Sequence, residues 1–273
     1  MTHDTAQARV AAVLAELGQV AVAVSGGVDS LALATLAQRT LGDRALMVHA
    51  VSPAVPLEAT TRVRSAAVEQ DWRLLVIDAG EFADPAYRAN PANRCFFCKT
   101  NLYGAIGAHA GEQIVSGTNL DDLEDVRPGL EAAKNHGVRH PFVEAGIGKA
   151  DVRGIARALG LGAIAELPAS PCLSSRIETG VRIEPALLGL VHEVERLVAT
   201  TLQATTVRCR VRAGTLVIEL DNGALARLGT SERRVLDEAI NQRMTARAAV
   251  RPIAFAAYRR GSAFLDGRIA GTP

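Results

Sequence analysis

The chain has 273 residues, 48% of them hydrophobic and 22% charged, which suits one large or two ordinary globular domains and excludes disorder as the main theme. Thirty Lys and Arg stand against 29 Asp and Glu, a net charge of +1 with no long run of one sign, so a broad nucleic-acid surface is not expected. Four cysteines are too few for a disulfide scaffold, and 4% aromatics too few for a platform that stacks single strands.

Asp4, Arg9 and Glu16 interrupt the N-terminal apolar stretch, and no long uninterrupted apolar run occurs anywhere. The expectation is a cytoplasmic chain without leader or membrane span. Residues 20–24 (VAVAV) are an apolar run too short for a helix and read as a buried strand ending in the turn Ser25-Gly26-Gly27. Leu31, Leu33, Leu36 and Ala37 then supply a helical face up to Gly42, and residues 45–51 (ALMVHAV) read as a second strand. Strand, glycine turn, helix, strand is a βαβ unit. The alternation continues with a helix over 57–70, a strand over 73–78, a helix over 99–110, a strand over 113–116, a helix over 149–159 and a short strand at 163–165. It predicts an α/β fold with a parallel sheet covered on both faces.

The Pro-punctuated segment LPASPCLSSRIETG marks the expected end of the first domain, which is placed at 1–176. Residues 177–273 are expected to form a small α+β domain: a helix over 185–201, strands over 206–212 and 216–221 around Gly214, a helix over 231–244 and a last strand over 253–258. The chain shows no internal repeat and no low-complexity segment.

The loop SGGVDS comprises Ser25, Gly26, Gly27, Val28, Asp29 and Ser30, at the carboxyl end of the first strand, where open α/β sheets bind ligands. Two glycines let the backbone approach an anion, and the following helix presents free N–H groups and the positive end of its dipole. No Gly-Lys-Ser/Thr and no GxGxxG occurs there, which excludes the lysine-bearing ATPase loop and the dinucleotide fingerprint.

Cys95 and Cys98 form C-x-x-C, expected just before a helix, and Cys172 lies in the loop that ends the domain. Such a pair signals metal binding or redox chemistry. Neither a four-ligand structural zinc nor a thioredoxin-like pair fits the surroundings, whereas three thiolates can hold three corners of a [4Fe-4S] cube and leave one iron open. Cys209, alternating with Arg208 and Arg210 in VRCRVR, is expected to be a buried packing thiol.

SGGVDS after a buried strand resembles the pyrophosphatase loop of the PP-loop enzymes, whose Rossmann-like domain is of the adenine nucleotide alpha hydrolase type. With NRCFFCKTNLY, GTNLDDLEDVRPG, PCLSSR and YRRGS in the same order, nearly the whole chain resembles the LarE family of ATP-dependent sulfur transferases, which act in nickel-pincer cofactor synthesis. The resemblance implies adenylation of a carboxylate of pyridinium-3,5-biscarboxylic acid mononucleotide, release of pyrophosphate, and replacement of the activated oxygen by sulfur. It implies that Ser25 to Ser30 hold the phosphates of ATP, that Asp29 helps hold Mg2+, that His49 to Ser52 border the adenine, and that Gly117, Thr118 and Asn119 close the pocket.

Members with three cysteines resemble cluster-based thiolases, so Cys95, Cys98 and Cys172 are expected to hold [4Fe-4S], whose open iron takes sulfide from a sulfide or persulfide donor. Sacrifice of Cys172 is the alternative sulfur source. Arg176, from the family's CLxSR segment, offers a planar fork to phosphate or carboxylate beside Cys172. Arg208 and Arg210 share a strand face on which a mononucleotide phosphate can bind, with Glu219 nearby. Asp121, Asp122, Glu124, Asp125 and Arg127 make an acidic loop that either positions magnesium or is simply solvated. Glu144 is placed near the end of a strand, and His136 and His140 in a solvated loop. The chain departs from the family at Leu167, where a lysine is common, and at Ala254, where an aspartate is. The resemblance further implies a homo-oligomer of hexameric type, with no stable nucleic-acid partner. The competing readings are a PP-loop tRNA thiolase and a non-enzymatic sensor that binds ATP and an iron–sulfur cluster.

Overall fold

The structure is a computed structural model and describes residues 3–123, 128–247 and 250–263. The chain forms two units, one of residues 3–84 with 94–170, the other of residues 85–93 with 171–263.

The first unit opens with helix α1 (His3–Leu17), followed by β1 (Val20–Ala23), α2 (Val28–Leu41), β2 (Ala45–Val51), α3 (Leu57–Glu69) and β3 (Arg73–Asp78). After a segment belonging to the other unit, which carries the one-turn helix α4 (Pro85–Arg88), it continues with α5 (Arg94–His109), β4 (Gln113–Ser116), α6 (Pro128–Asn135), α7 (Pro141–Glu144) and α8 (Lys149–Ala158). The four strands pair in parallel in the order β3-β2-β1-β4. Successive side chains of a strand point to opposite faces, and here both faces are covered. Val20, Val22 and Met47 pack with buried residues of α1, α2, α3 and α8, whereas Ala21, Val48 and Ile77 pack with Tyr103 and Ile106 of α5 and Ala133 of α6. Burial on both sides explains why β1 and β2 are apolar runs without alternation.

The sheet order has one consequence for the site. From β1 the chain steps outward through β2 and β3, then returns to place β4 on the other side of β1. The loops after β1 and β4 therefore leave the same sheet edge in opposite directions, which opens a crevice between them.

Several elements differ from the sequence expectation. Residues 163–165 lie in a 3-10 turn (Gly162–Glu166), since Gly160 and Gly162 take positive φ of 78° and 53° and no strand is available to pair with so short a piece. The helix expected from 99 begins at Arg94, so the C-x-x-C lies within the first five residues of the helix. Glu144 ends the short helix α7, started by Pro141 in its first turn, rather than following a strand. Helix α1 buries Ala6, Val10 and Leu14 at intervals of four, a stripe that its charged residues obscure in the sequence.

In the second unit, α9 (Pro185–Leu202) buries Leu188, Val191, Val194, Val198 and Leu202 and packs on β5 (Val207–Val211). β5 runs antiparallel to β6 (Leu216–Leu220), which pairs in parallel with β7 (Ile253–Ala257). A parallel pair needs a long crossover, and α10 (Asn222–Arg227) and α11 (Thr230–Thr245) supply it. Asp221 caps α10 by accepting from the Ala224 N–H at 2.9 Å and accepts three further bonds from Thr205 and Thr206, which hold its carboxyl down at about 2.

Residues 85–93 are stitched into this unit. Asn90, at φ 55°, donates Nδ2 to the carbonyls of Glu178 at 2.8 Å and Val181 at 2.9 Å, and its own carbonyl accepts from Gly180. Ile183 N–H donates to Arg88 O, and Arg88 pairs with Glu184 at 2.5 Å. No helix among the described residues is long and apolar enough to cross a membrane.

Candidate active site

The crevice of the first unit is built from main chain. Gly26 takes a φ of 83°, which disfavours any side chain, and a Cβ there would stand 2.7 Å from Ala59 O. Arg62 Nε donates to Gly26 O at 3.0 Å and fixes the turn. Ser30 Oγ accepts from Ser25 N–H and donates to Gly27 O, both at 3.1 Å, while the two serine hydroxyls share a bond of 3.2 Å. The serines thus tie the loop to the start of α2, whose first N–H groups have no acceptor within the helix. Across from it, Gly117 lies directly against the main chain of Asp29 and Ser30, where a Cβ would meet three backbone atoms at 2.8 to 3.0 Å. The Ser25–Ser30 loop and the Gly117–Asn119 segment, separate in sequence, are therefore brought together.

Asp29, in the first turn of α2, is held from two sides. Its Oδ1 accepts from Nδ2 of the buried Asn119 at 3.2 Å, and its Oδ2 accepts from Lys149 Nζ at 2.5 Å. Lys149 begins α8, and its backbone N–H donates to Asp121 Oδ2 at 2.6 Å. Gly148, the residue before it, lies where a Cβ would be 2.8 Å from that same oxygen. Sequence reading missed Lys149 as a site residue, because a lysine at a helix start carries no periodic signal. Of the acidic loop, Asp121 caps α8 and Asp122 Oδ2 accepts from Asn119 N–H; Glu124, Asp125 and Arg127 lie outside the described residues.

His49, His140 and Glu144 lie toward this edge, and His136 packs on α5. His49, at the end of β2, is buried, with Nδ1 2.7 Å from Val24 O and Nε2 3.0 Å from Thr60 Oγ1. A carbonyl only accepts, so Nδ1 carries the hydrogen and Nε2 accepts from Thr60. Burial pushes the His49 pKa below its usual value, outweighing the bond to Val24 that raises it, and the Arg64 charge adds to the lowering. His140, expected in solvent, is half-buried and shares a bond of 2.9 Å with Ser116 Oγ; burial lowers its pKa too. His136 is also half-buried, its ring 6.2 Å from that of Tyr103. Glu144 is bound in a fork by Arg139, whose bonds, ahead of a weaker opposing effect of burial, hold its carboxyl below the usual range.

Because His49 and His140 are easier to protonate in the unfolded chain, the stability tied to their neutral rings is complete above about pH 6.5 and is lost as pH falls through the lowered folded values. Chemical denaturation followed from about pH 7 to about pH 5 should show a falling midpoint, and His49→Gln should flatten that dependence.

Cys95 and Cys98 lie three residues apart at the start of α5, on one helix face, the first exposed and the second half-exposed. The positive end of the helix favours thiolates there. Gly129 lets α6 approach this turn, where a Cβ would be 3.7 Å from Cys95 O and 3.1 Å from Lys99 Cγ. Among the described residues no three His, Cys, Asp or Glu side chains are gathered as a metal ion would require.

The remaining residues singled out in the sequence belong to the second unit. Cys172 is exposed and precedes a 3-10 turn (Leu173–Arg176). Arg176 is buried, with its fork on Glu195 at 2.9 and 3.0 Å. Glu195 Oε1 also accepts from Cys209 N–H at 2.9 Å. Cys209 is fully buried, and its thiol pKa is pushed well up, by burial first and by the Glu195 charge second. Arg210, equally buried, donates Nε to Glu219 at 3.0 Å and Nη1 to Ser175 O at 3.0 Å. Arg208 differs from both. It is half-buried over the Tyr258 ring at 5.8 Å, and no carboxylate hydrogen-bonds to it among the described residues. Burial, then the Arg176 charge, lowers its pKa, so an anion placed there would relieve both penalties. Glu195 was not foreseen; its place on α9 reads only as one polar position in an apolar helix.

No family model matches the chain. An uncharacterized protein of Synechocystis sp. is 38% identical over 212 residues, covering 75% of this chain and 77% of its own. An uncharacterized protein of Methanocaldococcus jannaschii is 26% identical over 208 residues, 75% of this chain and 78% of its own. The pyridinium-3,5-bisthiocarboxylic acid mononucleotide synthase of Lactiplantibacillus plantarum is 29% identical over 248 residues, 89% of this chain and 87% of its own. With relatives spanning most of its length and a glycine-loop parallel sheet that matches the resemblance drawn from its motifs, the chain belongs to the LarE family.

Proposed function

We propose that this chain is an ATP-dependent sulfur transferase that converts a carboxylate of a pyridinium mononucleotide into a thiocarboxylate. The observation that carries the reading is the main-chain cradle of Gly26, Gly27 and Gly117 at the β1–β4 crevice, with Asp29 held between Asn119 and Lys149. Backbone N–H groups at a helix start and an ammonium group, on a loop whose shape the two serines hold, suit a polyphosphate. Asp29 supplies the hard oxygen that Mg2+ prefers, once the ion takes it from Lys149.

In this mechanism a carboxylate oxygen of the acceptor attacks the α-phosphorus of ATP, the bond to the β-phosphate oxygen breaks, and pyrophosphate leaves. The Ser25–Ser30 loop and Lys149 take up the charge that develops on it. The resulting acyl adenylate has AMP as a leaving group, so a sulfur nucleophile can add to the acyl carbon and expel it. Arg208 and Arg210 form the strand face proposed for the acceptor's phosphate, with Arg208 offering the cation and Arg210 oriented by Glu219.

Cys95, Cys98 and Cys172 are proposed to hold a [4Fe-4S] cluster, which would supply a binding site for exogenous sulfide. The donor chemistry suits such a cluster. Sacrifice of the Cys172 sulfur is the second reading, supported by the exposure of its thiol. A cytoplasmic homo-oligomer is proposed with it.

The test is anaerobic purification with iron and sulfide analysis, combined with pyrophosphate release in the presence and absence of the pyridinium acceptor. Acceptor-dependent pyrophosphate, thiocarboxylate formation, and loss of iron in Cys95→Ala are expected. One equivalent of product with full activity in Cys95→Ala, and Cys172 converted to dehydroalanine, would establish the sacrificial route. Tight tRNA binding at moderate salt would replace the reading with a tRNA thiolase, and ATP binding without acceptor-dependent turnover would replace it with a sensor.

A further inference from the structure

Cys172 is exposed, but the chain that carries it is anchored at several buried points. Ser174, fully buried two residues on, shares a hydrogen bond of 2.6 Å with the hydroxyl of Tyr87, itself 1% exposed. Arg176, 3% exposed, is immobilised by its fork on Glu195 and turns Nη1 onto the carbonyls of Pro171 at 2.7 Å and Cys172 at 3.2 Å, and onto Ser175 Oγ at 3.1 Å. Within the turn, Ser175 N–H donates to Cys172 O at 3.0 Å and Ile177 N–H to Ser174 O at 3.1 Å. Tyr87 reaches this place only because residues 85–93 belong to the second unit, where Asn90 and Arg88 bind the strand of chain just beyond the turn.

Arg176 has thus committed its planar fork to Glu195 and its Nη1 to the carbonyls and the Ser175 hydroxyl around the thiol. Tyr87 is too deeply buried to meet any reactant. Both nevertheless determine where the Cys172 backbone stands. Whether Cys172 gives up its own sulfur or holds the group that delivers it, transfer to an acyl carbon demands close alignment of the reacting atoms, and a wandering Cys172 loses rate without loss of substrate affinity.

We propose that Tyr87 is a positioning residue for Cys172, acting through the Ser174 hydroxyl, and that Arg176 serves the same end through the carbonyls of Pro171 and Cys172. The proposal rests on the sulfur-transfer reading above and adds to it a residue far from Cys172 in sequence that never touches the reactants.

Tyr87→Phe removes one oxygen from a core ring and keeps its volume, so the unit should fold. Two readouts are taken: thiocarboxylate formed per pyrophosphate released, and amide exchange at Ser175 and Ile177. The expected result is unchanged pyrophosphate release, a fall of about fivefold in thiocarboxylate per pyrophosphate, and exchange faster by about the same factor, the size of one neutral hydrogen bond. Ser174→Ala should give the same values, and the double variant no further loss. If pyrophosphate and thiocarboxylate fall together, Tyr87 is only structural and the proposal is wrong; unchanged exchange and an unchanged product ratio also overturn it. If the unaltered protein makes no thiocarboxylate, the sulfur-transfer reading itself fails, and amide exchange alone then decides whether Tyr87 holds this turn.

Discussion

Gly117→Ala should weaken binding of magnesium–ATP by about a hundredfold, or about 2.7 kcal/mol, and lower the thermal midpoint as well. The added methyl would lie 2.8 Å from Asp29 C, 2.9 Å from Ser30 N and 3.0 Å from Asp29 O, all main-chain atoms that cannot rotate away. Overpacking of a tight contact costs about 1 to 3 kcal/mol, and here relief requires the end of β4 to part from the first turn of α2, which is the crevice itself. Gly26→Ala should be comparably severe, since it combines a disfavoured φ with a contact of 2.7 Å to Ala59 O. Gly27 is the informative control. It has a φ of −87°, and a Cβ there would meet nothing nearer than Ser25 Oγ at 3.8 Å. Gly27→Ala should therefore leave the melting temperature nearly unchanged, so any loss of ATP affinity reports on the space a phosphate occupies. Calorimetric titration with ATP and thermal denaturation of the three variants provide the check; wild-type affinity in Gly117→Ala would mean that ATP does not use this crevice.

Lys149→Met should separate binding from stability. The Lys149–Asp29 pair keeps about a third and a quarter of its side-chain surfaces exposed, so its loss should cost below about 1 kcal/mol. For magnesium–ATP and for pyrophosphate the same change should weaken binding by about tenfold to a hundredfold, the range expected for losing one charge-assisted contact. AMP, which lacks the terminal phosphates, should bind almost as before. Asp29→Asn removes the other half of the pair, and the double variant should lose less than the sum, because the two side chains contact each other. Equal weakening of AMP and ATP would show that Lys149 shapes the pocket in general and does not address the phosphates.

The elements most visible in the sequence are those with a local cause. β1 to β4 are short apolar runs cut off by glycine or polar residues, and their ends agree closely with the structure. The Ser25–Ser30 turn was legible because two glycines after a buried strand have few other uses. Where the local signal was ambiguous, the reading erred. Residues 163–165 had strand-like letters but no partner strand, and α5 starts a turn early, which moves Cys95 and Cys98 from a loop onto a helix face. The arginine strand and Glu219 beside it are visible in the letters, yet that Arg210 rather than Arg208 takes Glu219, and that Arg176 takes Glu195 from α9, depends on pairings that share no period with the strand.

The succession of strand, glycine turn and helix follows from the sequence alone, because hydrophobic period and backbone permissiveness act over a few residues. So does the separation of the buried Cys209 from the other three thiols. Only the tertiary structure decided that β4 returns to the far side of β1, that Lys149 closes on Asp29, and that Tyr87 supports the turn after Cys172. The last two contacts join residues 120 and 87 positions apart. Their energy comes from removing polar groups from water and pairing them with one another, and no local pattern of letters records which distant partner will be found.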